Sequence, residues 1–336
     1  ILPTIVLSGS LKLPSLEKYY LFTLKPRDLG ALPISTSDLL AYESSIVVQE
    51  SQSGGGSPNY RGMEANRLLL IVDGIALNNT IYRSGHLQST STINPFFINS
   101  IDLVAGPASV SYGNGAMGGA VVFKTQEPEF KSKTTINQQF QSNSDAVVFS
   151  LQKNYYKNKA CHITSLSIKS VGNLKMGGNR MHNYVDWGNE KNIVINNEQQ
   201  YTSYSQLDLM HKSKFLIKNT SNISLNTQYS RSSDVFRFDK MNDTQNMTPK
   251  YKLWYYGPQI RFFQSINFSN KRKSLLWDNY TVLGAFQKLI ESRHIQKTED
   301  TFLNNRNENV FIYDINIDFK KKTRLVNFTY GIGARW

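Results

Sequence analysis

The stretch FIYDINIDF (311–319) has an apolar or aromatic residue at every odd position and mostly polar residues at the even positions. Side chains of a β-strand point alternately to opposite faces, so this pattern predicts a strand with one apolar and one polar face. Residues 223–229 and 326–332 repeat the alternation. Further strands are predicted near residues 134–141, 146–153, 160–169, 203–217, 256–268 and 275–289. Several reach about ten residues, which favours a transmembrane β-barrel over a soluble sandwich.

The composition agrees with membrane strands and excludes membrane helices. The chain has 336 residues, of which 40% are hydrophobic, 12% aromatic and 19% charged. Abundant aromatic and β-branched residues exclude a disordered chain. The longest apolar run, Leu68–Val72, is far shorter than the ~20 residues that a helix needs to cross a bilayer. A mean hydropathy of −0.40 is expected where polar and apolar residues alternate.

Basic residues concentrate in the second part of the chain. Residues 131–336 contain 30 Lys and Arg against 15 Asp and Glu, whereas residues 1–130 contain eight against ten. Nucleic acid is not predicted as a partner, because the basic residues are scattered along strands and turns without a basic helix or a known binding module. Two interpretations remain open, namely contact with the acidic headgroups of an outer membrane and a Lys- and Asn-rich proteome.

Motifs that carry catalysis are lacking. The single cysteine, Cys161, excludes a disulfide within the chain and predicts a small apolar side chain on a strand. The sequence contains no H-E-x-x-H or C-x-x-C pair of metal ligands, and its glycine run 53–56 lacks the ending of a phosphate-binding loop. The protein is therefore not predicted to be an enzyme, and no resident cofactor or metal is predicted.

The first 130 residues have a mixed α/β pattern. Strands are predicted at 19–24, 46–49, 67–72, 101–104 and 120–124, and a short helix over about 36–44. The Ser35–Ser37 stretch supplies N-cap residues for that helix. Asp73 and Gly74 predict a hairpin turn. Residues 51–62 are predicted to be a loop, because they contain three consecutive glycines and Pro58.

Two ordered motifs within these residues resemble the plug domain of TonB-dependent outer-membrane receptors. The pattern R-G-x-x-x-N-R-x-L-x-x-x-D-G-x-x-x-N is met by Arg61, Gly62, Asn66, Arg67, Leu69, Asp73, Gly74 and Asn78. The pattern G-P-x-S-x-x-Y-G-x-x-A-x-G-G is met by Gly106, Pro107, Ser109, Tyr112, Gly113, Ala116, Gly118 and Gly119. Residues 250–259 and 282–294 look like the early barrel of haem or haemoprotein receptors from Bacteroidota.

The resemblance implies an α+β plug domain over residues 1–130, followed by the N-terminal part of an antiparallel transmembrane β-barrel over residues 131–336. Barrels of this family have 22 strands, whereas residues 131–336 offer only about eight to ten. An open sheet edge has no hydrogen-bond partners in lipid. The sequence is therefore expected to continue beyond Trp336, with two alternatives, namely a barrel completed by other chains and a small barrel that cannot enclose this plug.

The resemblance also indicates residues that contact the barrel. Where the family has E-V-V-R before the Gly-Pro pair, this chain has Asp102, Leu103, Val104 and Ala105. The acidic residue is kept in shorter form and the arginine is absent. Asp102 and Arg61 are the predicted contacts between plug and barrel.

A candidate substrate site is centred on His86. Haem receptors of this fold place an axial histidine on the plug apex, often within G-H-L, and Gly85-His86-Leu87 stands at the matching position. Haem held between two histidines is a known mode of ligation. Tyr82 and Arg83 lie beside His86 in sequence, and an arginine can pair with a haem propionate. The alternative is that His86 is an ordinary polar residue of the apex.

The resemblance implies a receptor of a Gram-negative outer membrane that imports a scarce nutrient, with haem first and another iron complex second. Its partners would be the TonB–ExbB–ExbD system, outer-membrane lipids and a surface lipoprotein or other outer-membrane subunits. The low strand number and the lack of a recognised TonB box favour a second interpretation, in which the chain is a non-transporting, receptor-like scaffold subunit of a larger outer-membrane assembly.

Overall fold

A computed structural model describes residues 20–77, 90–105, 112, 114–177, 193–245 and 248–336. Strands dominate this part of the chain. Within the same residues, none of the helices has the length and apolar character needed to cross a membrane.

The elements up to residue 125 form a small mixed α/β unit. In chain order they are β1 (Tyr20–Leu24), α1 (Thr36–Ala41), β2 (Ile46–Gln52), β3 (Gly55–Tyr60), β4 (Leu68–Val72), β5 (Ile75–Ala76), β6 (Ile98–Val104) and β7 (Gly119–Thr125). Strands β1-β6-β7-β4-β5 form one sheet, called the small sheet, in which only β4 and β7 are parallel. Short 3-10 turns cover Pro26–Asp28, Ala65–Arg67, Pro95–Phe97 and Asn114–Ala116.

The core of this unit lies between the small sheet and α1. Leu70, Ile101 and Phe123 of the sheet are fully buried together with Leu39 and Leu40 of the helix. The Ser35 Oγ atom caps α1 by accepting a hydrogen bond from the Asp38 backbone N–H at 3.0 Å. The helix ends at Ala41, earlier than predicted, because Glu43 N bonds to Leu40 O in a tighter turn.

The prediction of a loop over residues 51–62 is wrong. Strands β2 and β3 pair as an antiparallel hairpin, and Gly54 turns the chain between them with a φ of 72°. Pro58 is tolerated because this two-stranded sheet consists only of edge strands, where a missing N–H need not break a ladder. Long-range burial decides the structure here, since residues 55–58 are buried despite their turn-like composition.

The predicted hairpin at Asp73-Gly74 is confirmed. Strands β4 and β5 pair across these two residues, with φ angles of 49° and 87°. Positive φ at both positions is the signature of a type I′ turn, which matches the twist of the strands on either side.

In the described residues, the rest of the chain contains a large antiparallel sheet, a separate three-stranded sheet, a separate two-stranded sheet and a short helix. Its elements are β8 (Lys133–Gln141), β9 (Ala146–Lys157), β10 (Ala160–Val171), β11 (Leu174–Lys175), β12 (Val194–Ile195), β13 (Glu198–Gln199), β14 (Tyr204–Lys218), β15 (Ser221–Ser232), β16 (Val235–Phe236), α2 (Phe238–Met241), β17 (Thr244–Gln245), β18 (Thr248–Pro249), β19 (Tyr251–Tyr256), β20 (Ile260–Asn270), β21 (Asn279–Lys297), β22 (Asn304–Lys322) and β23 (Asn327–Arg335). The long strands pair in the order β8-β9-β10-β14-β15-β20-β21-β22-β23, and this set is called the large sheet.

The two faces of the large sheet are inverted relative to a soluble protein. On β14, the polar residues Gln206, Asp208 and Lys212 are buried, whereas Leu209 and Phe215 on the alternate positions are exposed. The same holds along the sheet for the exposed apolar side chains of Ile136, Phe140, Phe149, Ile168, Leu225, Ile266, Phe311, Tyr313 and Ile315. Such alternation, polar inside and apolar outside, is the arrangement of a strand between an aqueous interior and lipid.

Candidate functional site

Asp73 presents its carboxylate from the small sheet toward the large sheet. The β4–β5 turn places the residue at the end of β7, where Thr125 donates from its backbone N–H at 2.9 Å and from its hydroxyl at 2.7 Å. These two bonds fix the direction of the side chain. A short acidic residue tolerates the positive φ that the turn requires.

The large sheet supplies three further donors to this carboxylate. Lys212 Nζ of β14 lies 3.2 Å from Asp73 Oδ2 and 2.7 Å from Glu127 Oε1. The Asn226 and Gln228 amides of β15 donate to Asp73 Oδ2 at 2.8 and 3.2 Å. We call Asp73, Thr125, Lys212, Asn226 and Gln228 the Asp73 cluster.

The charge of Asp73 depends on this cluster. Burial alone would raise the pKa of the carboxyl group, but Lys212 and the two hydrogen bonds from Thr125 outweigh it and hold the pKa below its ordinary value. A carboxyl group with a lowered pKa stabilises the folded state above its unfolded pKa and loses that contribution as the pH falls through the folded pKa. The contact between the sheets is therefore expected to weaken only in acid below about pH 4.

A second polar cluster lies further along the same interface. Asp208 of β14 accepts from Asn94 Nδ2 at 2.7 Å and from Gln206 Nε2 at 3.0 Å. Gln206 also donates to Ser91 O at 2.8 Å and to Ser230 Oγ at 3.2 Å. We call these five residues the Asp208 cluster, and it joins the segment before β6 to β14 and β15.

A small void separates the two clusters. Asn94, Thr125, Asp208, Gln228 and Arg261 are among its lining residues, and its volume of about 10 Å³ is near what one water molecule requires. Arg261 of β20 is buried, donates to Gln228 Oε1 at 3.1 Å and lies over the Phe263 ring.

Further hydrogen bonds join the small unit to the large sheet on both sides of the two clusters. Lys169 Nζ of β10 donates to Ile34 O at 3.3 Å, and Gln287 Nε2 of β21 donates to Ala76 O at 3.0 Å. Three neighbouring strands of the large sheet, β10, β14 and β15, together with β21, thus contact the small unit through polar groups. When such groups separate, they regain hydrogen bonds from water. The free energy needed to open this interface is therefore lower than that needed to separate two apolar surfaces.

The predicted contact residues lie elsewhere. The contacts that the structure gives Asp102 are within the small sheet, because Thr23 Oγ1 donates to it at 2.7 Å and Lys124 Nζ lies 2.7 Å away. Arg61 is exposed, and its guanidinium lies 5.1 Å from the centroid of the Tyr60 ring. His86, Tyr82 and Arg83 fall outside the described residues.

Sequence reasoning missed both Asp73 and Lys212 as partners. Asp73 was explained by the hairpin turn alone. The available signal was Lys212 itself, because alternation along β14 places this charge on the face that carries Gln206 and Asp208 rather than on the apolar face. Cys161 is confirmed as a buried side chain on a strand. In the described part of the chain, no three His, Cys, Asp or Glu side chains converge as a metal site.

Comparison with known proteins assigns the small unit. Residues 24–120 match the TonB-dependent Receptor Plug Domain. The match covers the small unit, which is therefore similar to the plug domain of TonB-dependent receptors.

Curated relatives match the plug. They include the haem transporter BhuA of Brucella ovis, 36% identical over 97 residues, which are 28% of this chain and 14% of BhuA. The transferrin-binding protein A of Haemophilus influenzae is 33% identical over 105 residues, and the hemin receptor of Yersinia pestis is 32% identical over 92 residues. These matches cover 28% and 27% of this chain and 11% and 13% of the two relatives.

Solved structures match the plug and the large sheet together. The copper transporter OprC superposes with a TM-score of 0.73 at 11% identity over 94% of this chain and 45% of its own. The FrpB iron transporter of Neisseria meningitidis gives 0.72 at 15% identity over 93% of this chain and 48% of its own. The predicted fold class, a plug followed by antiparallel barrel strands, is confirmed. The chain spans about half the length of these structures.

Proposed function

We propose that the chain belongs to a TonB-dependent receptor of a Gram-negative outer membrane and imports a scarce nutrient, with haem or another iron complex as the substrate. In this proposal residues 1–130 form the plug and residues 131–336 contribute barrel strands around it. The polar interface between plug and large sheet carries the proposal. A plug that opens a transport path must be held at the barrel wall and must also separate from it, and polar groups can exchange their partners for water.

The Asp73 cluster holds the plug in its resting position. A transport cycle requires the plug to shift when the TonB–ExbB–ExbD system pulls from the periplasm. Each donor on β14 and β15 then loses a carboxylate or carbonyl partner and gains water, so the resting position is favoured but not locked. The apolar outer face of the large sheet contacts lipid throughout this movement.

Haem is the favoured substrate for two reasons. The plug resembles a haem transporter and a hemin receptor, and the Gly85-His86-Leu87 motif offers an imidazole that suits iron. In this proposal His86 binds the haem iron, Tyr82 and Arg83 line the same apex, and haem is cargo rather than a resident cofactor. The likeness of residues 250–259 and 282–294 to Bacteroidota haem receptors adds to the proposal, and a surface lipoprotein that delivers haem would fit it.

A spectral titration of the full-length receptor with haemin tests the substrate. The wild type should show a shifted Soret band, and His86→Ala should lose that shift and bind haemin at least tenfold more weakly. His294→Ala is the matched control, because this histidine lies on β21, hydrogen-bonded to Asn305 at its Nδ1 atom. An unchanged Soret band in His86→Ala would exclude the ligand role.

Growth on haem as the sole iron source tests import itself. A strain that lacks the gene should fail to grow, and disruption of TonB should reproduce the defect. Normal uptake in both strains, with the protein retained in a larger outer-membrane assembly, would instead favour the scaffold interpretation.

A further inference from the structure

Four short turns lie side by side at one end of the large sheet. They join β9 to β10, β14 to β15, β20 to β21 and β22 to β23, within residues 157–160, 218–221, 271–278 and 320–326. Hydrogen bonds hold them together: Leu216 N at the end of β14 bonds to Lys159 O of the first turn, Lys271 N to Thr220 O, and Lys321 Nζ to Ser274 O at 2.6 Å. We call these four segments the basic rim.

The basic rim carries most of the excess positive charge of the second part of the chain. Its segments contain ten Lys and Arg and a single acidic residue, Asp278. Nine of the ten basic side chains are exposed, and in the described part of the chain only Lys321 has an ion pair, at 3.2 Å from Asp278. The backbone N–H of Lys322 and the Lys321 ammonium hold the pKa of Asp278 below its ordinary value.

The connections at the opposite strand ends are different. The described residues of these connections, 142–145, 172–177, 193–203, 233–245, 248–259 and 298–303, together contain five basic and seven acidic residues. The charge asymmetry therefore separates the two ends of one sheet and is not a uniform feature of composition. A Lys- and Asn-rich proteome would not produce that separation.

Apolar side chains project among the charges of the basic rim. Leu275 and Leu325 are each 90% exposed and lie within two residues of Lys273 and Arg324 in the sequence. Trp277 packs against Phe319 and Tyr280, with ring centroids 5.3 and 6.0 Å apart. Tryptophan and tyrosine concentrate where a membrane protein meets the headgroup region.

We propose that the basic rim binds anionic phospholipid headgroups of the leaflet that borders the short turns, with Leu275 and Leu325 inserted among the acyl chains. Lys and Arg near an anionic leaflet are attracted to its phosphates. Basic residues interleaved with Leu and Trp are typical of surfaces that lie at the membrane interface. An acidic soluble protein would match the charges but would leave both leucines without a partner. The inference rests on the proposed outer-membrane placement.

The test compares lipid selectivity at the two ends of the sheet. The full-length receptor is reconstituted into vesicles, and electron paramagnetic resonance of spin-labelled phosphatidylglycerol and phosphatidylcholine gives the ratio of their association constants. The test variant is Lys271→Gln with Arg272→Gln and Lys273→Gln. The matched control is Lys175→Gln with Lys252→Gln and Lys297→Gln, which removes three exposed lysines from the opposite end.

The preference for phosphatidylglycerol should fall at least about fivefold in the test variant and stay within twofold of wild type in the control. In the wild type, higher salt should lower the preference. Equal ratios in all three proteins would overturn the inference, as would an equal loss in the control. A wild-type receptor that fails to integrate even into phosphatidylcholine vesicles would contradict the membrane placement instead.

Discussion

Lys212 supplies the positive charge at the centre of the interface between plug and large sheet. Its ammonium group contacts both Asp73 and Glu127, and its side chain is 5% exposed. Removal of one member of a buried ion pair leaves the other charge uncompensated, which costs more than the intact pair contributes.

We therefore expect Lys212→Met to lower the free energy of unfolding by about 3–5 kcal/mol, because Asp73 stays buried without its cation. Urea unfolding of the detergent-solubilised receptor measures the loss. Lys218→Met is the control, since this exposed lysine lies on the same strand and should change stability by less than about 0.5 kcal/mol.

A double variant separates charge from packing. Asp73→Asn together with Lys212→Met removes both charges and should recover part of the loss, since neighbouring substitutions do not add. If Lys212→Met lowered the free energy of unfolding as little as Lys218→Met does, the Asp73 cluster would not stabilise the interface.

At the scale of elements, the start of β7 depends on one glycine. Gly119 has a φ of 141°, and a Cβ atom there would lie 2.8 Å from Val104 O of β6. Residues with side chains rarely adopt this conformation, and the clash would push apart two paired strands of the small sheet.

Gly119→Ala should destabilise the plug by about 1–3 kcal/mol. Limited proteolysis of the folded receptor would detect this as faster cleavage within the plug. Gly30→Ala is the control, because no atom lies within 4 Å of its ideal Cβ position. Equal cleavage rates in the two variants would contradict the role of Gly119.

The sequence predicts elements well where local pattern and tertiary packing agree. Alternation identified the long strands of the large sheet because a polar inner face and an apolar outer face alternate along the whole strand. It placed one strand at 256–268, whereas β20 begins at Ile260, because Gly257 and Pro258 separate it from β19. Strand β3 was missed because pairing with β2 and burial outweigh the turn preference of its residues.

The candidate site was less predictable than the fold for a physical reason. Asp73 and Lys212 are 139 positions apart, and only the docking of two sheets brings them together. Local rules explain Asp73 fully as a turn residue, so nothing in its own surroundings indicates a second role. Asp102 fits the family pattern, yet its contacts with Thr23 and Lys124 stabilise the plug from within.

At the scale of the whole molecule, the inverted faces of the large sheet define which surface would meet lipid in the proposed outer-membrane placement. Ile266 is 51% exposed near the middle of β20, and its neighbour Ser265 is buried against the interior. A charged side chain on the lipid-facing side is most costly near the bilayer centre and tolerated near its edges.

Ile266→Lys should thus reduce the free energy of folding into lipid vesicles by about 2–4 kcal/mol. Phe302→Lys is the matched control, because this exposed aromatic lies in the connection between β21 and β22, beyond the strand ends, and should cost about 0–1 kcal/mol. Equal folding of both variants into vesicles would show that the apolar face of β20 does not contact lipid.

The alternation within each strand also has an evolutionary consequence. In the proposed transporter, consecutive residues face different surroundings, so selection for substrate passage and selection for membrane insertion act on separate, interleaved sets of positions. Substitutions at inward positions such as Ser165 or Ser230 can accumulate without loss of insertion. A single-residue deletion inside a strand, by contrast, moves every side chain beyond it to the opposite face of the sheet. Length differences among descendants of this gene should therefore be confined to the connections between strands.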